Sequence, residues 1–129
     1  MKKSHVLFIT LITCQYFVAV AQEIRSHLVH LKNATVSLPA QLQLSTDDVT
    51  KSTFEGNLYV LLQFNEIPTA EKVLALQKAG VVLGDYLPHY TYIAQLTTDY
   101  SPATLKAAGI TSISSIDPIW KVDSRIAPY

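Results

Sequence analysis

His27, His30 and His89 are the only imidazoles downstream of residue 21, and imidazole is the side chain that most readily exchanges a proton near neutral pH. A nucleophilic triad needs a hydroxyl or thiol beside such a base, a third group that orients it, and donors for an oxyanion. No serine stands in a Gly-x-Ser-x-Gly or comparable setting, and the single cysteine, Cys14, falls in an apolar leader. The spacing His27-x-x-His30 sends the two rings to opposite sides of a strand, and no Cys or paired acid joins them as ligands. Asp47-Asp48 reads as a solvated acidic pair in a polar loop. The four glycines are isolated, so no Gly-rich loop is available to cradle a phosphate. The expectation is a non-catalytic chain with no cofactor, no metal and surface histidines.

The leader sets where the protein goes. Lys2 and Lys3 precede an apolar stretch from Val6 that runs through Phe17 to Ala21, interrupted by Thr10, Thr13, Cys14 and Gln15. A basic start, an apolar middle and the small residues of Ala19-Val20-Ala21 are the pattern of a cleavable signal peptide, with the new terminus at Gln22. The stretch is shorter than the ~20 apolar residues of a spanning helix. A lipid-modified Cys14 is disfavoured by Thr13 before it. Residues 1–21 are therefore expected to be a signal peptide, and the protein secreted, periplasmic or at the cell surface.

Removal of the leader takes away the only cysteine and two lysines. Eight Lys plus Arg then face ten Asp plus Glu, a formal charge of −2, with no basic patch to argue for nucleic acid and no membrane segment after cleavage. About 108 of the 129 residues remain, the size of one domain with a modest core. Asn33-Ala34-Thr35 is a glycosylation acceptor sequence, meaningful only in a host that modifies exported chains.

Elements follow from pattern. Ser26 to Leu38 alternates like one or two short strands stopped by Pro39. Ser45 to Thr53 is polar and aperiodic, the pattern of a loop or linker, so residues 22–56 are expected to form an N-terminal extension. Leu58 to Phe64 is a β-rich run apolar on both faces. Thr69 caps a helix on which Ala70, Val73, Leu74 and Gln77 recur, closed by Gly80. Strands at Val81–Tyr86 and Tyr90–Leu96 form an antiparallel pair. Ser101-Pro102 starts a second helix that ends at Gly109, and a last strand covers Ile110–Ile116.

That order contains a weak repeat, because Leu76-x-x-Ala79-Gly80-Val81 recurs 29 positions on as Leu105-x-x-Ala108-Gly109-Ile110. Two split βαβ units predict an α+β fold of ferredoxin-like type, a βαββαβ antiparallel sandwich over residues 57–122 with both helices on one face. Such a fold does not determine a function. The distinctive residues are the tyrosines Tyr59, Tyr86, Tyr90, Tyr92 and Tyr100, in or beside the sheet. They serve either for packing or, where they reach the face away from the helices, for contact with a protein partner.

Tyr59-Val60-Leu61-Leu62-Gln63-Phe64, then Ile67-Pro68, Leu76-x-x-x-Gly80-Val81-x-Leu83-x-Asp85-Tyr86-Leu87-Pro88 and Tyr92-Ile93-Ala94 resemble the N-terminal prodomain of secreted bacterial subtilisin-like serine proteases. The resemblance covers about Leu58 to Ile119. It implies a ferredoxin-like domain that assists folding of a subtilisin-like protease domain and then inhibits it, in cis or in trans. The sheet would pack on two protease helices, with Tyr59, Tyr90 and Tyr92 as contacts and Asp85 as the acidic residue that caps them. The C-terminal tail, residues 123–129, would enter the substrate cleft through Ile126, Ala127, Pro128 and Tyr129. No protease domain follows Tyr129, so the expectation is a fragment or truncated product, with a free-standing inhibitor as the other reading. Two other functions compete: an exported adaptor or cell-surface interaction domain, and a dimeric small-ligand sensor.

Overall fold

The computed structural model describes residues 28–31, 34–117 and 120. The expected signal peptide, His27, Asn33 and the tail residues Ile126, Ala127, Pro128 and Tyr129 lie outside the described residues. The elements are β1 (Leu28–His30), β2 (Thr35–Ser37), α1 (Thr46–Ser52), β3 (Thr53–Phe54), β4 (Asn57–Phe64), α2 (Ala70–Lys78), β5 (Val81–Leu87), β6 (Thr91–Thr97), α3 (Pro102–Ala107) and β7 (Ile110–Ser115). The protein is thus α+β, with three helices and two antiparallel sheets among the described residues.

β1 and β2 form a two-stranded hairpin, with Val29 opposite Val36. The main sheet runs β3-β4-β6-β5, with β7 on the other part of the β4 edge. Every pairing in it is antiparallel. β4 is its centre: Leu58 faces Leu96 on β6, and Leu62 faces both Tyr92 on β6 and Ile113 on β7. A strand flanked on both sides buries most of its side chains, which accounts for the Leu-Val-Leu-Leu-Phe composition of β4, with the buried Gln63 the polar exception.

The repeat has a structural meaning. Leu76 on α2 and Leu105 on α3 are both fully buried, and Val81 and Ile110, which open the next strands, are each 2% exposed. Gly80 (φ 79°) and Gly109 (φ 86°) make the left-handed turn from helix to strand, a conformation that costs other residues steric strain. At Gly80 a side chain would also meet Thr97 Cγ2 at 3.0 Å.

One expectation is corrected. The polar run Ser45–Thr53 is not a loop. It forms α1, because Ser45 Oγ accepts from the Asp48 amide at 3.1 Å and donates to the Asp48 carboxylate at 2.6 Å. Asp47 and Asp48 sit at the positive end of the helix and Lys51 at the negative end. Seven residues are too few to show a period, and Val49 alone carries the apolar contact to the core. On α2 the buried residue is Leu76, while Leu74 is 57% exposed.

Residues 38–54 are tied to the sheet throughout. Leu44 belongs to the main core, and its amide donates to Tyr100 Oη at 3.0 Å. The Ile113 amide donates to the Gln41 carbonyl at 2.8 Å. Ser112 Oγ donates to the Pro39 carbonyl at 2.5 Å. These bonds fill part of the outer edge of β7 that would otherwise stand unpaired.

Two apolar clusters divide the interior. The larger joins Leu58, Val60, Leu62 and Phe64 of β4 with Leu76, Leu96, Leu105 and Ile113 on the helix side. The smaller lies on the opposite face, where Val29 and Leu38 pack on Leu61, with Ile93, Leu87, Ile116 and Trp120 around them. The sheet face expected to be open is therefore half covered. The β1–β2 hairpin sits on it because Val29 and Val36, a register pair, point inward together. Burial of side chains of this size is worth about 1.5–3 kcal/mol each.

Candidate functional site

The part of that face left uncovered by the described residues is a short row across three strands. Tyr59 on β4 is opposite Gln95 on β6, and Gln95 is opposite Val82 on β5. Their neighbours Leu58, Leu96 and Val81 point into the helix-side core, so alternation puts Tyr59, Gln95 and Val82 on the other face. Phe54 extends the row from β3, its ring 6.3 Å from Tyr59 and edge-on. Phe54 is 63% exposed and Val82 48%. Phe54 reaches this place through the two-residue turn Glu55-Gly56, whose φ angles of 49° and 81° fold β3 back on β4.

The expected partner contacts separate in space. Tyr59 is in the row just described. Tyr92 lies on the helix-bearing side, half-buried, between Phe64 at 5.5 Å and Tyr86 at 5.2 Å. Tyr90 is 45% exposed in the β5–β6 turn with a φ of 56°. Asp85 is exposed in β5 where the register shifts between Leu83 and Tyr86, a bulge that adds one residue to the edge strand. Of the four, only Tyr59 belongs to the apolar row.

Phe54, Val82 and Gln95 were not singled out by sequence reasoning. The Glu-Gly turn before a β-rich run was the available signal for Phe54. For Val82 and Gln95 the signal exists only once the register pairs them with Tyr59.

Concavities flank the sheet among the described residues. A groove of about 520 Å³ runs between α1 and the end of β7, lined by Asp48, Lys51, Ser114, Ser115, Ile116, Asp117 and Trp120. Hydrogen bonds from Ser45 and then Ser115 hold the Asp48 carboxyl below the usual carboxylate range. The Asp47 carboxylate, 2.5 Å from Lys51, raises that ammonium. Ser115 Oγ donates to Asp48 Oδ1 at 2.8 Å, and among the described residues no imidazole lines the groove. The smaller concavity, about 270 Å³, is lined by Phe64, Asn65, His89 and Tyr90.

His89 is held by the sheet. Its carbonyl accepts from the buried Gln63 Nε2 at 3.1 Å and from Thr91 Oγ1 at 3.2 Å. Its ring lies 5.0 Å from that of His30 on the hairpin. His30 Nδ1 is 2.9 Å from Thr35 Oγ1 across the β1–β2 pair. Among the described residues no group of three or more His, Cys, Asp or Glu side chains gathers as for a metal, and no helix is long and apolar enough to cross a membrane.

No curated protein matches the chain, and no solved structure matches it. One family model does, over residues 30–119, from the end of β1 to beyond β7. That span takes in β2, α1 and the main sheet together. Covering more than half of the chain, it establishes that the protein belongs to the family described as Domain of unknown function (DUF8729).

Proposed function

We propose that the chain is an exported, non-catalytic docking domain of the subtilase-propeptide type. It binds a subtilisin-like protease domain through the sheet face away from the helices, and its tail from Ile126 to Tyr129 occupies the substrate cleft. The sheet order β5-β6-β4-β7, with α2 and α3 as the crossovers, suits the ferredoxin-like arrangement that this reading requires. The observation that carries it is the row of the exposed Phe54 and Val82 and the half-buried Tyr59 on that face. Aromatic and aliphatic side chains gathered in this way are the composition of a protein interface core.

The test is inhibition. The purified chain is added to a panel of subtilisin-like proteases while hydrolysis of a chromogenic peptide is followed. Slow, saturable inhibition that weakens on deletion of Ile126 to Tyr129 is expected. Absence of inhibition by folded chain at high micromolar concentration, including against any protease domain encoded in frame after it, would defeat the reading.

One observation favours the second reading, an exported adaptor or cell-surface interaction domain. The β1–β2 hairpin and Trp120 already cover Leu61, Leu87 and Ile93, area that a protease would otherwise meet. An adaptor gives no inhibition, yet it loses its partner when Phe54 and Tyr59 are replaced.

A further inference from the structure

We propose that His30 and His89 form a two-imidazole site for a divalent transition metal ion of the zinc, nickel and copper class, which staples the N-terminal hairpin to the main sheet. The inference does not depend on the docking function above. The two rings come from elements distant in sequence and lie 5.0 Å apart, tilted by 54°. Two imidazoles that share one tetrahedral ion, with nitrogens ~2.0–2.1 Å from it, have ring centres about 5 Å apart.

The His30 ring is held by a second group, and the backbone that carries the His89 ring is fixed by two. His30 Nδ1 meets Thr35 Oγ1 at 2.9 Å. When that nitrogen carries the proton and donates it, Nε2 is left with a free lone pair, the arrangement usual for metal-bound histidine. His89 sits in a left-handed turn (φ 62°) whose carbonyl is fixed by Gln63 and Thr91. Both histidines are exposed, so water can complete the coordination. Imidazole pairs suit zinc, nickel and copper and not magnesium or calcium, and two protein ligands imply modest affinity.

The experiment is thermal unfolding of the full chain with zinc or nickel chloride, against magnesium chloride and EDTA, together with hydrogen exchange at the Val29 and Val36 amides. Zinc and nickel are expected to raise Tm and slow exchange, whereas magnesium does neither. An ion at about 100 times its Kd shifts the folding equilibrium about 100-fold. His30→Gln and His89→Gln each abolish the shift while unfolding as the parent does in EDTA. Thr35→Val keeps the site but weakens metal binding, by about 10–100-fold for loss of a supporting hydrogen bond. His27→Gln leaves the shift intact. No shift with millimolar zinc or nickel overturns the proposal, as does a shift that survives His89→Gln but is lost in His27→Gln.

Discussion

The side-chain amide of Gln63 donates to the carbonyl of His89 at 3.1 Å, so that a residue with no solvent exposure in the central strand fixes the turn between β5 and β6. Replacing Gln63 by Leu removes one of two donors to that carbonyl and leaves Thr91 Oγ1 as the other. The expected loss is about 1–3 kcal/mol, read as a lower urea midpoint at constant m. Gln63→Leu combined with Thr91→Val is expected to lose more than the sum of the singles, because the carbonyl then has neither donor.

Leu61 and Leu62 are neighbours on β4 that serve different clusters. Truncating either to Ala is expected to cost about 2–5 kcal/mol. Only Leu61→Ala should free the hairpin selectively. Hydrogen exchange at Val29 and Val36 would rise in that variant, and in Leu62→Ala the increase would spread to β6 and β7.

Asp48 gives α1 a dependence on acid. Its carboxyl is held below the usual carboxylate range, first by Ser45 and then by Ser115. A depressed folded value means stability that is present above the unfolded pKa of about 3.8 and lost as pH falls through the lower folded value. Asp48→Asn is therefore expected to lower stability at pH 5 to 7 and to flatten its decline below pH 4. Ser115→Ala should do the same more weakly, both checked by urea titration across pH.

Ser52 Oγ is buried at the end of α1 without a hydrogen-bond partner among the described residues. An unpaired buried hydroxyl costs free energy in the folded state. Ser52→Ala is expected to be neutral or stabilising by up to about 1 kcal/mol, visible as an unchanged or raised Tm. A marked loss of stability would show that the hydroxyl is satisfied in solution.

Phe54→Ala and Tyr59→Ala should separate binding from folding. Phe54 is 63% exposed, so its truncation is expected to change stability by less than about 0.5 kcal/mol. Partner affinity or protease inhibition is expected to fall about tenfold or more, as for an interface anchor. Val82→Ser on the same row should act in the same direction, and Leu74→Ser on the opposite side should have no effect.

Much of the fold was legible because it is written locally. The caps Thr69 and Ser101, the left-handed Gly80 and Gly109, and the apolar run of β4 are each decided by a few adjacent residues. α1 was missed because its signal is a capping box and one apolar contact, with no period to count. On α2, Leu74 and Leu76 are equally apolar, and only the sheet beneath distinguishes them.

The sequence by itself determined the elements of β4 to β7 and their order, since strand, cap and turn preferences act over distances of a few residues. It did not decide which face each tyrosine meets, that the hairpin covers Leu61, or that His30 meets His89. Those depend on register and on packing between segments far apart in the chain. A shift of one residue in the pairing would send Tyr59 into the core and Leu58 to the surface, and the register that prevents it is set by the whole sheet at once.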